Sequence, residues 1–167
     1  LIVLSRFSLL AQSDNQSELD NKYLIIREIN LEGNKRTRPQ IIYRELAIRE
    51  GDSIRAAKLD SILQWEQNKI FNTQLFNTVD IEAQSDGDYL DILILMNERW
   101  YIWPSIHLDL GDRNFNEWLL QRGAGFDRLV YGLTFRDKNF RGRRENLKLK
   151  FQLGFTRKFE AFYDIPY

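Results

Sequence analysis

His107 is the only histidine in the chain, and Asp109 follows two residues later, so a strand through both would put imidazole and carboxylate on one face. That spacing could seat a proton relay, because a carboxylate fixes the tautomer of a neighbouring imidazole. Two polar side chains on the wet side of a strand account for it more simply. With one histidine a histidine-pair metal site is impossible, and without cysteine there is no thiolate, disulfide or cysteine zinc ligand. Asp86 and Asp88 flank Gly87 and could suggest calcium, but the remaining ligands of a calcium loop are missing around them. A solvated turn explains them better. Neither a Gly-x-Ser-x-Gly elbow nor a phosphate-cradling Gly-rich loop occurs. The expectation is a protein that is not an enzyme and uses no metal and no cofactor.

The elements that must carry these residues fall into two textures. Tyr23 to Leu31 is aliphatic and β-branched and ends at Glu32-Gly33-Asn34, a strand closed by a turn. Thr37 offers a helix N-cap with Pro39 in the first turn; Ile41, Ile42, Leu46 and Ile48 follow at helical spacing until Gly51-Asp52. A second helix is predicted from Ile54 to Ile70, with an apolar stripe of Leu59, Ile62, Leu63 and Ile70 and Trp65 beside it. Asn72 to Asn77 breaks it. Val79, Ile81 and Ala83 then alternate with polar residues, Ser85-Asp86-Gly87-Asp88 turns the chain, and Tyr89 to Met96 is apolar on both faces like a central strand. The order reads β-α-α-β-β, a compact α+β domain with two helices against one sheet.

Beyond Glu98 the period becomes two. Ile102, Pro104, Ile106, Leu108 and Leu110 alternate with Trp103, Ser105, His107 and Asp109, before a turn at Gly111-Asp112-Arg113-Asn114. Leu129, Tyr131, Leu133 and Phe135 alternate in the same way, then Leu147, Leu149, Phe151, Leu153 and Phe155, then Phe159, Ala161 and Tyr163. A soluble sandwich would bury the apolar rows against another sheet. A membrane barrel would turn them to lipid and keep Arg136, Lys148, Lys150 and Gln152 in a wet lumen. Large apolar positions, small and polar inward ones, and Trp100, Tyr101, Trp103, Trp118, Tyr163 and Tyr167 near segment ends favour the barrel. No stretch of about twenty apolar residues offers a transmembrane helix.

Residues 1–99 carry a net charge of −4 and residues 100–167 a net charge of +4, a split too mild and too dispersed to argue for nucleic acid. Leu1 to Gln12 resembles the tail of a secretory signal peptide, with cleavage possible after Ala11 and a polar stretch from Ser13 to Asn21 behind it. The division read from sequence is therefore a signal-peptide remnant and linker at 1–21, a folded domain at 22–99 and period-two strands of a barrel or a sandwich at 100–167, which the family resemblance below makes the first strands of a truncated outer-membrane barrel.

Ile26 to Thr37, with the run Glu32-Gly33-Asn34-Lys35-Arg36, resembles the opening strand and turn of a POTRA domain. Leu46, Gly51-Asp52, Leu59, Asn68 and Leu75-Phe76-Asn77-Thr78-Val79-Asp80-Ile81 continue that likeness. Asp137-Lys138-Asn139-Phe140-Arg141-Gly142 is similar to an early barrel turn, and Tyr163-Asp164-Ile165-Pro166-Tyr167 to a strand end, of the BamA-like assembly and two-partner secretion superfamily. The resemblance covers about Leu24 to Tyr167. It implies one POTRA domain followed by antiparallel strands of an incomplete transmembrane β-barrel, in the outer membrane with the POTRA domain in the periplasm.

It also implies a function: insertion or translocation of polypeptides, with Thr78, Val79, Asp80, Ile81, Glu82, Ala83 and Gln84 forming an edge that takes client strands by β-augmentation. Asp80, Glu82 and Gln84 would face one side, and Val79, Ile81 and Ala83 the core. Leu147, Leu149, Phe151, Leu153 and Phe155 would face lipid. Expected partners are unfolded outer-membrane or secreted polypeptides, outer-membrane lipid and accessory lipoproteins, with no nucleic acid. The first barrel strand, about Trp103 to Leu110, would border a seam. The rival reading is a periplasmic protein-binding scaffold whose β-rich tail is a soluble sandwich.

Overall fold

The computed structural model describes residues 22–110 and 129–166 and divides into two compact units that part between Arg99 and Trp100. The signal-like segment, the Gly111–Asn114 turn, Trp118 and Tyr167 lie outside the described residues.

In the first unit β1 (Tyr23–Glu32) leads through α1 (Pro39–Glu45) to a short β2 (Ser53–Arg55). A 3-10 turn at Ala56–Lys58 opens α2 (Leu59–Asn72), and the hairpin β3 (Phe76–Asp86) and β4 (Tyr89–Glu98) closes the unit. The sheet order is β2-β1-β4-β3; β1 runs parallel to β4, and the other pairs are antiparallel. The two helices and one facing row of the sheet form the core, with Ile26, Ile42, Ile70, Phe76, Leu90, Ile92 and Ile94 fully buried. Each such side chain contributes about 1.5–3 kcal/mol.

The local departures from the sequence reading have physical causes. Ser53–Arg55 is a strand, not the head of the second helix, because its backbone pairs with Tyr23–Ile25 and puts Ile54 in the core. The order is thus β-α-β-α-β-β. The first helix stops at Glu45, and Leu46 and Ile48 reach the core from an extended segment. Thr37 is no N-cap. Arg38 occupies that position in the extended conformation required before Pro39. The backbone N–H groups of Arg36 and Thr37 donate to the Glu98 carboxylate at 3.0 and 2.6 Å instead. Glu66 is fully buried on α2; its carboxylate accepts the N–H of Ala47 at 2.9 Å and pairs with Lys69 at 3.1 Å, tying the extended segment to the helix. Gly33 has φ +91, and a Cβ there would lie 1.8 Å from the carbonyl oxygen of Met96, so the turn after β1 admits only glycine.

The second unit is an antiparallel meander, β5 (Ile102–Leu110), β6 (Leu129–Phe140), β7 (Glu145–Gly154) and β8 (Lys158–Asp164), in the order β5-β6-β7-β8. The β6–β7 turn is wound by side chains. Asp137 Oδ1 accepts the N–H of Asn139 at 3.0 Å, and Asn139 Oδ1 accepts that of Arg144 at 2.9 Å. Arg141, Gly142 and Arg144 all have positive φ. Asp137, Asn139 and Glu145 are buried, so these polar groups act inside the turn.

Candidate functional site

The position of β3 in the first sheet is the first functional feature. Thr78, Val79, Asp80, Ile81, Glu82, Ala83 and Gln84 all lie in β3, the outermost strand on its side. Two backbone bonds fix the phase of the ladder. Ile25 N–H donates to Asp88 C=O at 2.8 Å, and Arg99 N–H donates to Leu75 C=O at 2.9 Å. Even-numbered positions of β4 therefore point their backbone groups at β1, and odd-numbered ones at β3. Tyr89, Asp91, Leu93 and Leu95 bond across to their register partners Asp86, Gln84, Glu82 and Asp80. By alternation, Val79, Ile81, Ala83 and Ser85 direct their N–H and C=O away from the sheet.

The side chains of β3 divide as expected only in part. Asp80, Glu82 and Gln84 are exposed; Val79 is buried and Ile81 half-buried. Ala83 is exposed rather than in the core, because the buried row has given out toward the hairpin tip. The base of the strand is firmly held, with Leu75 and Phe76 buried and Phe76 C=O accepting Arg99 Nε at 2.8 Å. At the tip, Gly87 has φ +63 in a two-residue loop.

The opposite edge is closed as far as Ile29, and sequence reasoning missed how. β2 covers the start of β1, and beyond it the turn takes over: Gly51 N–H donates to Ile26 C=O at 2.8 Å, and Ile26 N–H donates to Asp52 C=O at 2.9 Å. Further on, Ile29 N–H donates to Glu50 Oε1 at 3.2 Å, and Tyr43 OH donates to Ile29 C=O at 3.0 Å. Two side chains from a turn and a helix thus satisfy the groups that a neighbouring strand would use. No local sequence signal marks Tyr43 and Glu50 as a pair.

On the open face of this sheet Arg27 bonds Asp91 Oδ1 through Nε at 2.8 Å and pairs with Asp86 at 3.3 Å. The Arg27 guanidinium holds the Asp91 carboxyl below the usual aspartate value. Among the described residues Asp80 and Glu82 have no cation partner.

The second feature is the apolar face of the meander. Register carries it across all four strands: Ile106, Leu133, Phe151 and Phe159 form one row, and Pro104, Phe135, Leu149 and Ala161 the next. Ile106 is 78%, Leu108 73% and Phe159 63% exposed. Phe151 and Leu153 are exposed as well, while Leu147 and Leu149 are half-covered by neighbouring strands. Phe155 lies past the end of β7, where Gly154 turns at φ +101, so it belongs to the loop and not to the strand row. Phe151 and Phe159 pack at 5.0 Å between ring centroids.

The other face is polar. Trp103, Ser105, His107, Thr134, Arg136, Lys148 and Lys150 line one concavity. Trp103 is therefore on the polar side, not in an outward aromatic girdle, and Tyr101 is buried at the β6–β7 turn, where its C=O accepts Lys138 N–H at 3.1 Å. His107 lies over Gly132, where any Cβ would sit 2.2 Å from its Nε2. Gly132 is thus the notch that admits the imidazole. Among the described residues no three acidic or histidine side chains converge to hold a metal, and no helix is long and apolar enough to cross a membrane.

A family model described as POTRA, surface antigen variable number repeat, matches residues 24–99. No curated protein matches the chain. Among solved structures, BamA from Haemophilus ducreyi lacking POTRA domains 1–3 is 20% identical with a TM-score of 0.55, over 78% of this chain and 22% of that one. The N-terminal domain of Omp85 from Thermosynechococcus elongatus is 23% identical over 47% of this chain and 32% of its own, with a TM-score of 0.38. CdiB from Acinetobacter baumannii is 13% identical over 80% and 22%, with a TM-score of 0.42. The chain spans about a fifth of the BamA structure, and that likeness concerns the fold.

Proposed function

We propose that this chain, with a POTRA domain at residues 24–99 and a fold like that of BamA, is a member of the BamA-like superfamily that inserts or translocates polypeptides at the outer membrane. The POTRA domain, in the periplasm, captures an extended client segment along β3 by β-augmentation. Backbone bonds provide affinity without demanding one sequence, which suits a handler of unfolded outer-membrane or secreted polypeptides. The residues after Arg99 form the first wall of a barrel, with the Ile106–Phe159 and Pro104–Ala161 rows against lipid and Arg136, Lys148 and Lys150 toward water. No covalent chemistry is required, and an accessory lipoprotein fits the same scheme as a docking partner.

One observation carries the capture reading: the first sheet has one edge satisfied by β2, the Gly51-Asp52 turn, Glu50 and Tyr43, and one edge with outward backbone groups on four residues. An open edge of this length is usually protected, so its opposition to a sealed one points to use. Amide exchange tests it. A peptide copying residues 147–153, added to the full chain in detergent micelles, is expected to slow exchange at Val79, Ile81, Ala83 and Ser85. Protection confined to other strands, or none at saturating peptide, would refute capture at this edge.

Large apolar side chains carried in register across four strands favour the membrane reading over the soluble sandwich. Purification of the intact protein as a soluble monomer without detergent would overturn the membrane reading.

A further inference from the structure

Whether β3 would take any extended segment equally depends on what surrounds its free backbone groups. A strand laid against β3 places alternate side chains beside the two rows of β3. One row begins with Val79 and Ile81, which continue the helix-covered layer and favour apolar neighbours, and runs on to the exposed Ala83. The other, Asp80 and Glu82, lies on the open face, where Glu28 and Glu32 of β1 add further negative charge and share a concavity with Glu82, Gln84 and Leu93. Arg27 is already committed to Asp91 and Asp86 and does not neutralise Asp80 or Glu82.

We propose that the β3 edge selects extended segments with Lys or Arg at alternate positions, interleaved with apolar residues. This rests on the capture reading above and adds its specificity. Charge complementarity names the occupant: a basic residue directly opposite Asp80 or Glu82 is favoured, and an acidic one is repelled. The same repulsion acts between two copies of β3, so the edge disfavours its own dimer while remaining open to a basic partner. Screening shortens as salt rises, from about 8 Å at physiological ionic strength to about 3 Å at 1 M, so the preference must fade in high salt.

The chain itself supplies a probe of this type: residues 147–153 read Leu-Lys-Leu-Lys-Phe-Gln-Leu. The full chain in micelles would be titrated with that peptide and with its Lys148→Glu/Lys150→Glu counterpart, with amide exchange at Ala83 as the readout. The basic peptide is expected to bind on the order of tenfold more tightly at low salt, and the gap to close in 1 M salt. The Asp80→Lys/Glu82→Lys variant, altered only at exposed side chains, should reverse the order. Equal affinities for both peptides, with protection at Ala83 intact, would overturn the selectivity and leave capture standing. No protection from either peptide would overturn capture itself. Protection at Ala83 that appears without peptide and deepens with protein concentration would mean that a second copy occupies the edge, and would overturn both.

Discussion

Arginine placed along β7 should cost the most at Leu149 and progressively less toward Leu153, if the apolar rows meet lipid. The ten residues of β7 at about 3.4 Å each give about 34 Å, which at a tilt near 45° stands about 24 Å tall. That matches an apolar band of about 25 Å. Leu149, in register with Phe135 and Ala161, lies near mid-height; Phe151 sits about 5 Å from it and Leu153 about 10 Å. A lipid-facing Arg costs about 2–4 kcal/mol at the midplane and about 0–1 near the interface. Leu149→Arg is thus expected to lose about 2–4 kcal/mol, Phe151→Arg an intermediate amount, and Leu153→Arg about 0–1. Gln152→Arg, on the polar face, should be near neutral. The assay is reversible denaturant unfolding of the intact gene product in lipid vesicles, with each variant compared at equal lipid. Equal costs at Leu149 and Leu153, or a cost at Gln152 matching that at Leu149, would refute the reasoning.

Three further outcomes follow from the geometry. Gly33→Ala should lose well over 1 kcal/mol, since it combines a left-handed φ with a methyl group far inside van der Waals contact distance of Met96 O; hydrogen exchange of β1 and β4 amides reads it. Asn139→Ala removes the acceptor of the half-buried Arg144 N–H, at a cost of about 1 kcal/mol, and should open the Arg141–Arg144 turn to trypsin. Asp91 has a depressed folded pKa, so its stabilising contribution is present above the unfolded value near 4 and fades as pH falls through the lower folded value. In Arg27→Ala the Asp91 carboxyl, followed by NMR, should titrate at higher pH than in the parent.

What could be read in the sequence was what is local. Each residue of β5 to β8 declares its face by its own place in the alternation, so the rows from Ile106 to Phe159 were legible before any pairing was known. The Asp86–Tyr89 hairpin was legible for the same reason: Gly87 supplies its turn. β2 was not, since three residues hold too little periodicity and their partner in β1 lies about thirty positions earlier. Thr37 and Pro39 mark the first helix but not its true cap, since the extended conformation required before Pro39 falls on Arg38, and the Thr37 N–H goes to the distant Glu98. The outer position of β3 came from family resemblance alone. Nothing near Tyr43 or Glu50 announces that they seal the other edge, because a plug made of side chains is defined only by the backbone atoms it meets.

That plug has a consequence for stoichiometry. A sheet able to grow on one side accepts a single segment, and the next free edge belongs to the guest. If β3 captures clients as proposed, any tendency to nucleate further strands passes to the client, and a long-lived complex would seed aggregation. Capture at this edge would then be safe only with hand-over faster than the arrival of a second client molecule.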